Sequence, residues 1–240
     1  MWKTKLGTCI YTSPSGIKVY QNLFYRWLTF GNDTLQTVLN RFFPHQPVLY
    51  YLPALALMAI SSPKRCCILG LGGGGLIHML SAYYPFSSLI AVEIEKEVIQ
   101  VAKDYFMIDS LQNISIVNED ALEFVRKATK QYDHLLIDLY NATHYPANCS
   151  TDEFFIYCAK ILNPDGYIAI NLANSMDQWL IFQLVKQRFN STVVIPIKKS
   201  ANLVIIASNI DTLAFSEKVL KHPRFKKVEW RQGWGYIANL

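Results

Sequence analysis

Cys66-Cys67-Ile68-Leu69-Gly70-Leu71-Gly72-Gly73-Gly74-Gly75-Leu76-Ile77-His78-Met79-Leu80 is the stretch on which the fold turns. A short apolar run ends in five glycines across six positions, and an apolar periodic segment follows. That order predicts a buried parallel strand, a tight turn and the start of a helix. Glycine serves where the backbone turns at positive φ or approaches a ligand with no Cβ between them. A helix starting here directs free N–H groups and its positive dipole end into the turn. Gly70, Gly72 and Gly75 fit G-x-G-x-x-G, a weak signal that gains weight from the strand before it and the helix after it.

Outward from this centre, strands and helices alternate. Strands are expected near 66–71, 89–93, 114–117, 134–138 and 167–172, and helices near 75–83, 96–106, 121–130, 151–162 and 177–189. Two last strands, 192–197 and 202–207, flank Lys198-Lys199-Ser200 and fit a hairpin. The alternation implies an α/β, doubly wound, mostly parallel sheet of seven strands with helices on both faces. Upstream, strand-like pieces at 8–12, 17–20, 23–30 and 34–39 are cut by Ser13-Pro14-Ser15-Gly16 and Gly31-Asn32-Asp33. They predict a small N-terminal antiparallel β unit over 1–45, ahead of a Rossmann-like nucleoside-binding domain over 46–240. Pro44 and Pro47 mark the change to a helix over 48–60.

With 51% hydrophobic and 17% charged residues the chain is globular rather than disordered. A net charge of +5 permits an acidic partner without requiring one. The five cysteines include no C-x-x-C, and Cys66 and Cys67 lie in a core strand, so buried reduced thiols in a cytoplasmic protein are expected. The N-terminus lacks a signal-peptide layout, and the apolar run 47–60 is too short to span a bilayer, so no membrane role is expected. The five histidines have no ligand spacing, so no metal is expected. Residues 221–234 interleave cations and aromatics. That pattern can mark single-stranded nucleic-acid binding, but a solvated strand or helix with its aromatics packed inward is the preferred reading.

Three carboxylates fall at or just past the carboxyl ends of strands, where open α/β sheets gather their ligands: Glu93, Asp120 and Asp138. Glu93 comes 18 positions after Gly75, where a carboxylate can accept both hydroxyls of a ribose laid over the glycine turn. Asp120 can accept the amine of an adenine beside the N–H of Ala121, and it is equally a good cap for the helix that follows. Asp138 closes the most apolar strand and faces the reacting end of whatever lies over the glycines. His144 and Tyr145, in the loop beyond it, are candidates to line an acceptor pocket or to lie on its surface.

With these residues in place, the chain resembles the spermidine synthase (polyamine aminopropyltransferase) family. Tyr25 to Gln36 resembles the family's N-terminal β segment, and Ile68 to Gly75 its Ile-Ile-Gly-Gly-Gly-Asp-Gly-Gly loop. Val92-Glu93-Ile94-Glu95 resembles its Glu-Ile-Asp strand end, and Glu119-Asp120-Ala121-Leu122-Glu123-Phe124 its Gly-Asp-Gly-Phe-Glu-Phe segment. Asp138 matches the first aspartate of Asp-Ser-Ser-Asp-Pro. The resemblance implies that Gln36, Gly70, Gly72, Gly73, Gly75, Glu93, Asp120 and Ala121 hold decarboxylated AdoMet or AdoMet. Asp138 would accept a proton from an attacking amine, with Tyr50, Tyr140, Asn141 and His144 about the acceptor. The terminal hairpin is of the kind AdoMet-dependent transferases carry. Pairing of two copies through the N-terminal β unit is a further implication.

The departures matter as much. The family's glycine-loop aspartate is Gly73 here, and the second aspartate and the proline of its catalytic loop are Asn141 and Ala142. Its Tyr-His/Gln-Glu motif falls near Val48-Leu49-Tyr50, where the motif's tyrosine has no match, and Ile195-Pro196-Ile197-Lys198 stands where its Pro-Thr-Tyr-Pro would be. An aspartate at 73 would repel the carboxylate of intact AdoMet; two charges about 4 Å apart at an effective dielectric of about 20 interact by about 4 kcal/mol. Glycine removes that repulsion and, on this reading, adds room. The expected function is alkyl (aminopropyl) transfer to a small amine. A methyltransferase that has lost polyamine specificity, an NAD-dependent oxidoreductase, and a weakly catalytic nucleoside-binding protein are the alternatives.

Overall fold

The computed structural model describes residues 2–31, 34–84, 89–139, 145–173 and 175–240. Four strands open the chain: β1 (Thr8–Thr12), β2 (Lys18–Gln21), β3 (Tyr25–Phe30) and β4 (Thr34–Asn40). They form an antiparallel sheet in that order. Tyr25 rather than Leu23 starts β3. The Asn22 carboxamide oxygen accepts the N–H groups of Phe24 (3.1 Å) and Tyr25 (2.8 Å), which fixes a turn over those residues.

Two short helices follow, α1 (Leu52–Leu55) and α2 (Leu57–Ser61), in place of one helix over 48–60. The break falls at Ala56, whose φ of −86° and ψ of 0° leave the helical region. Then come β5 (Cys66–Leu69), α3 (Gly75–Ser81), β6 (Leu89–Glu93), α4 (Lys96–Phe106), β7 (Ile114–Asn118), α5 (Ala121–Lys127), β8 (Tyr132–Ile137), α6 (Asp152–Lys160), β9 (Leu162–Leu172) and α7 (Ser175–Arg188). The chain closes with β10 (Ser191–Pro196), β11 (Leu203–Ser208), α8 (Thr212–Phe215), β12 (Lys227–Arg231) and β13 (Gly235–Asn239).

The main sheet runs β12-β13-β10-β11-β9-β8-β5-β6-β7. Strands β9, β8, β5, β6 and β7 are mutually parallel, β11 enters antiparallel between β9 and β10, and β13 lies parallel to β10. The doubly wound, mostly parallel arrangement is present, with nine strands where seven are expected. Of the two extra strands, β12 lies in the tail 221–234 read above as a solvated strand or helix, and β13 follows it directly. One of the tail's aromatics packs inward: Trp234 lies 4.8 Å from both Trp179 and Phe182. Trp230 does the opposite, 67% exposed and edge-on to Tyr236.

Period-two alternation explains why β5 must be central. Cys66 and Ile68 sit in the core on one face of the sheet, Cys67 and Leu69 in the core on the other. Desolvation in these cores raises the thiol pKa of both cysteines, and all five cysteines are free. A third core joins the two sheets. Val19, Leu28 and Leu39 of the small sheet meet Val98, Val101 and Phe106, the apolar face of α4. Phe106 is wholly buried, so its truncation to alanine would cost about 3–5 kcal/mol and loosen the small sheet from the large one. Among the described residues no helix is long and apolar enough to cross a membrane.

Candidate active site

The carboxyl ends of β5, β6, β8 and β9 and the inner face of β4 enclose a cavity of about 550 Å³. Its floor is the turn after β5. Gly70 has a φ of 97°, and a Cβ there would lie 2.3 Å from the Asp138 carbonyl oxygen, so only glycine lets β5 and β8 end side by side. Gly72 and Gly75 line the cavity as well.

Gly73 does not. A Cβ on it would meet the Phe106 ring and the Thr37 methyl, each at 3.0 Å, and its N–H is donated to Thr37 Oγ1 at 2.8 Å. The space expected from glycine at this position is therefore occupied by β4 and α4 and adds nothing to the cavity. Thr37, invisible to pattern reading, joins the small sheet to the glycine turn.

Glu93 ends β6 with both carboxylate oxygens engaged: Oε2 accepts the Leu71 N–H (3.0 Å) and Oε1 the Glu95 N–H (3.1 Å). Burial raises its pKa, and the backbone donors, Gly72 among them, pull the other way. Gln36 lines the same cavity, and its Nε2 is buried with no hydrogen-bond partner. A buried amide donor left unpaired in this way calls for an acceptor from a ligand.

At the opposite end stands Asp138, just past β8. Its Oδ2 accepts the Tyr51 hydroxyl (2.9 Å) and its Oδ1 the Asn171 amide (2.8 Å). Desolvation raises the Asp138 pKa despite these two donors, and the same burial, with the nearby carboxylate, holds the Tyr51 phenol well above its ordinary value. Each carboxylate oxygen keeps a further lone pair for another donor. A buried carboxylate with neutral partners and a raised pKa has the attributes of a proton acceptor.

Asp120 lies away from the cavity lining, as does Ala121. Its Oδ1 caps α5 by accepting the N–H groups of Leu122 (2.9 Å) and Glu123 (3.1 Å), and its Oδ2 accepts the Asn148 amide (2.9 Å). Tyr50 lines the cavity and is half exposed. Tyr140, Asn141 and His144 lie outside the described residues. Tyr145 is buried, and its backbone N–H is donated to Asp177. Tyr51, Asn171, Asn202 and Lys199 also line the cavity and were not singled out by the sequence. Among the described residues no group of three His, Cys, Asp or Glu side chains is placed to hold a metal ion.

Residues 49–216, more than half the chain, match the spermine/spermidine synthase domain. The chain belongs to that family. A polyamine aminopropyltransferase from Vibrio vulnificus is 32% identical over 112 residues, covering 45% of this chain and 38% of that protein. One from Chromobacterium violaceum is 26% identical over 187 residues, covering 76% and 72%. The chain thus spans well under half the length of the Vibrio relative. A spermidine synthase solved in complex with the transition state analogue AdoDATO superposes with a TM-score of 0.70 at 22% identity, covering 91% of this chain and 80% of that one. That likeness concerns the fold.

Proposed function

We propose that this chain is an alkyl transferase of spermidine synthase type, which takes an adenosyl sulfonium donor and passes an alkyl group to a small amine. Aminopropyl transfer from decarboxylated AdoMet is the form the family suggests, and AdoMet is the second candidate donor. The observation that carries the reading is the pairing of two ends of one cavity. Backbone-held Glu93 and unpartnered Gln36 stand at one end, and Asp138, with Tyr51 and Asn171, at the other.

Gln36, Gly70, Gly72, Gly75 and Glu93 would hold the nucleoside, with the ribose hydroxyls shared by Glu93. Asp120 would receive the adenine amine at Oδ2 in exchange for Asn148. The amine nitrogen attacks the carbon bonded to sulfur, the carbon–sulfur electron pair returns to sulfur, and the proton shed by nitrogen passes to the Asp138 carboxylate. Holding the two reactants in line supplies most of the acceleration. Tyr51 and Asn171 keep the carboxylate pointed and ionised while its burial keeps it basic.

Calorimetry with AdoMet, decarboxylated AdoMet and methylthioadenosine, followed by turnover with diamines and monoamines, tests the reading. Micromolar uptake of at least one nucleoside and product formation lost in Asp138→Asn are the expected results. Uptake of none of the three, with Glu93→Ala indistinguishable from the parent, would overturn it.

A further inference from the structure

The Asp138 end of the cavity carries a charge that a polyamine site would not want. From Asp138 a chain of amides leads outward to the turn between β10 and β11. Asn171 Nδ2 donates to Asp138 Oδ1 (2.8 Å), Asn202 Nδ2 donates to Asn171 Oδ1 (2.8 Å), and the Ser200 hydroxyl bonds Asn202 Oδ1. Gln178 Nε2 grips the same turn at the Ala201 carbonyl (2.9 Å), and the Ile197 N–H is donated to the Asn202 carbonyl (3.0 Å). This turn is therefore braced from two sides rather than loose.

Lys199 sits on it at a φ of 63°, a left-handed conformation in which glycine is the usual residue. It lines the cavity together with Ser200 and Asn202, and it is the one cationic side chain among the described residues that does so. No described carboxylate forms an ion pair with it.

The charges that face a ligand are thus few. Glu93 is held by backbone donors and Asp138 by two neutral donors, and Lys199 is exposed on the turn that Asn202 and Asn171 tie to Asp138. A polyamine brings two or more ammonium groups, and Lys199 would repel each of them, the more strongly where water is excluded. A carboxylate at the same place would be attracted by as much and would gain a charge-assisted hydrogen bond.

We infer that Lys199 receives a carboxylate from the substrate pair, so that this site selects a carboxylate-bearing molecule over its decarboxylated counterpart. The inference rests on the nucleoside-binding reading above and narrows its substrate class. The carboxylate has two sources, the amino-acid end of the donor or an acceptor amine of amino-acid type, and the chemistry at Lys199 is the same for both.

Two matched pairs, each differing by one carboxylate, separate the sources. AdoMet against decarboxylated AdoMet probes the donor, and ornithine against putrescine probes the acceptor, with binding read by calorimetry on the full chain. The parent is expected to favour the carboxylated member of at least one pair about tenfold or more. Lys199→Met should bring that ratio close to one and Lys199→Glu should invert it, while uptake of methylthioadenosine, which lacks the amino-acid end, stays the same in both. Preference for the decarboxylated member in both pairs, or ratios that neither substitution moves, would overturn the inference while methylthioadenosine uptake left the nucleoside reading standing. Failure of the parent to take up any nucleoside would remove both. Since Lys199 is exposed, circular dichroism of the two variants should match the parent, which keeps a null binding result interpretable.

Discussion

The two ends of the cavity are built by different means. At the Glu93 end nearly every contact is to backbone: Leu71 and Glu95 N–H groups on the carboxylate, Gly70 at positive φ, and the Gly73 N–H on Thr37. At the Asp138 end the carboxylate is held by side chains: Tyr51 on one oxygen, and on the other Asn171, which leads on to Asn202 and Ser200. The first end is held by turn geometry that admits particular residue types, as at Gly70, so residue type and spacing record it. The second depends on which side chains meet across the fold, and that leaves little trace in a local pattern.

If that contrast holds, Asp138→Asn should produce the largest single change. Turnover is expected to fall at least about a hundredfold, since a positioned base contributes about 10²–10⁴, while nucleoside affinity stays within about twofold. The fold should become more stable. Burial raises the Asp138 pKa, so the folded state binds this proton more tightly than the unfolded one, and stability falls as pH rises from the ordinary carboxylate range through the raised value. The asparagine variant, having no carboxylate to ionise there, should unfold at higher temperature than the parent at pH 7 and lose that advantage near pH 3. A lower melting temperature at pH 7 would mean that the charge is more stabilising than its burial suggests.

Glu93→Ala attacks the other end. Nucleoside dissociation constants should rise about 10- to 100-fold, as expected when a charged hydrogen-bonding partner worth about 1.5–3 kcal/mol is removed. Acceptor saturation should not change. An equal effect on both substrates would merge the two ends into one and break the comparison.

Tyr51→Phe sharpens it. The Tyr51 hydroxyl is one of the two donors that lower the Asp138 pKa, so its loss should raise that pKa and shift the acidic limb of the pH–rate profile to higher pH. Turnover at neutral pH should drop about tenfold with nucleoside binding intact. An unmoved acidic limb would show that Tyr51 merely packs against the carboxylate.

The smallest change is reserved for Asp120→Ala. Loss of the cap on α5 should destabilise by about 1 kcal/mol, seen as a lower denaturant midpoint. Nucleoside affinity reports separately: a loss of tenfold or more assigns Asp120 to adenine as well, and no loss leaves it a cap.

What the residues themselves made readable follows the same division. Gly70, Gly72, Gly75 and Glu93 were legible because turn geometry and strand ends write themselves into residue type and spacing. Gln36 came from the resemblance, and the structure brings it to the same wall. Tyr51 was missed in favour of Tyr50, its neighbour on the lining, because the direction of a side chain just ahead of α1 depends on where that helix starts, at Leu52. Asn171 left a faint sign, a polar residue inside the apolar run Ile168-Ala169-Ile170-Asn171-Leu172 at a strand's carboxyl end. Lys199 left none, since a lysine in a polar turn is the commonest of surface features. The tail hairpin was lost for another reason: β12, Lys227 to Arg231, alternates over only five residues, and β13 becomes a strand through its pairing with β10 and β12.

By itself the sequence determined the alternation of strand and helix, the central place of Cys66–Leu69 and the cavity-lining glycine turn, because these depend on periodicity and backbone sterics over a dozen residues. Tertiary structure alone decided that Gly73 faces Phe106 instead of the cavity, that Tyr51 reaches Asp138 across 87 positions of chain, and that Lys199 joins the cavity lining. Those are contacts between elements distant in sequence, and no local pattern encodes which side chains meet when a sheet of nine strands is assembled.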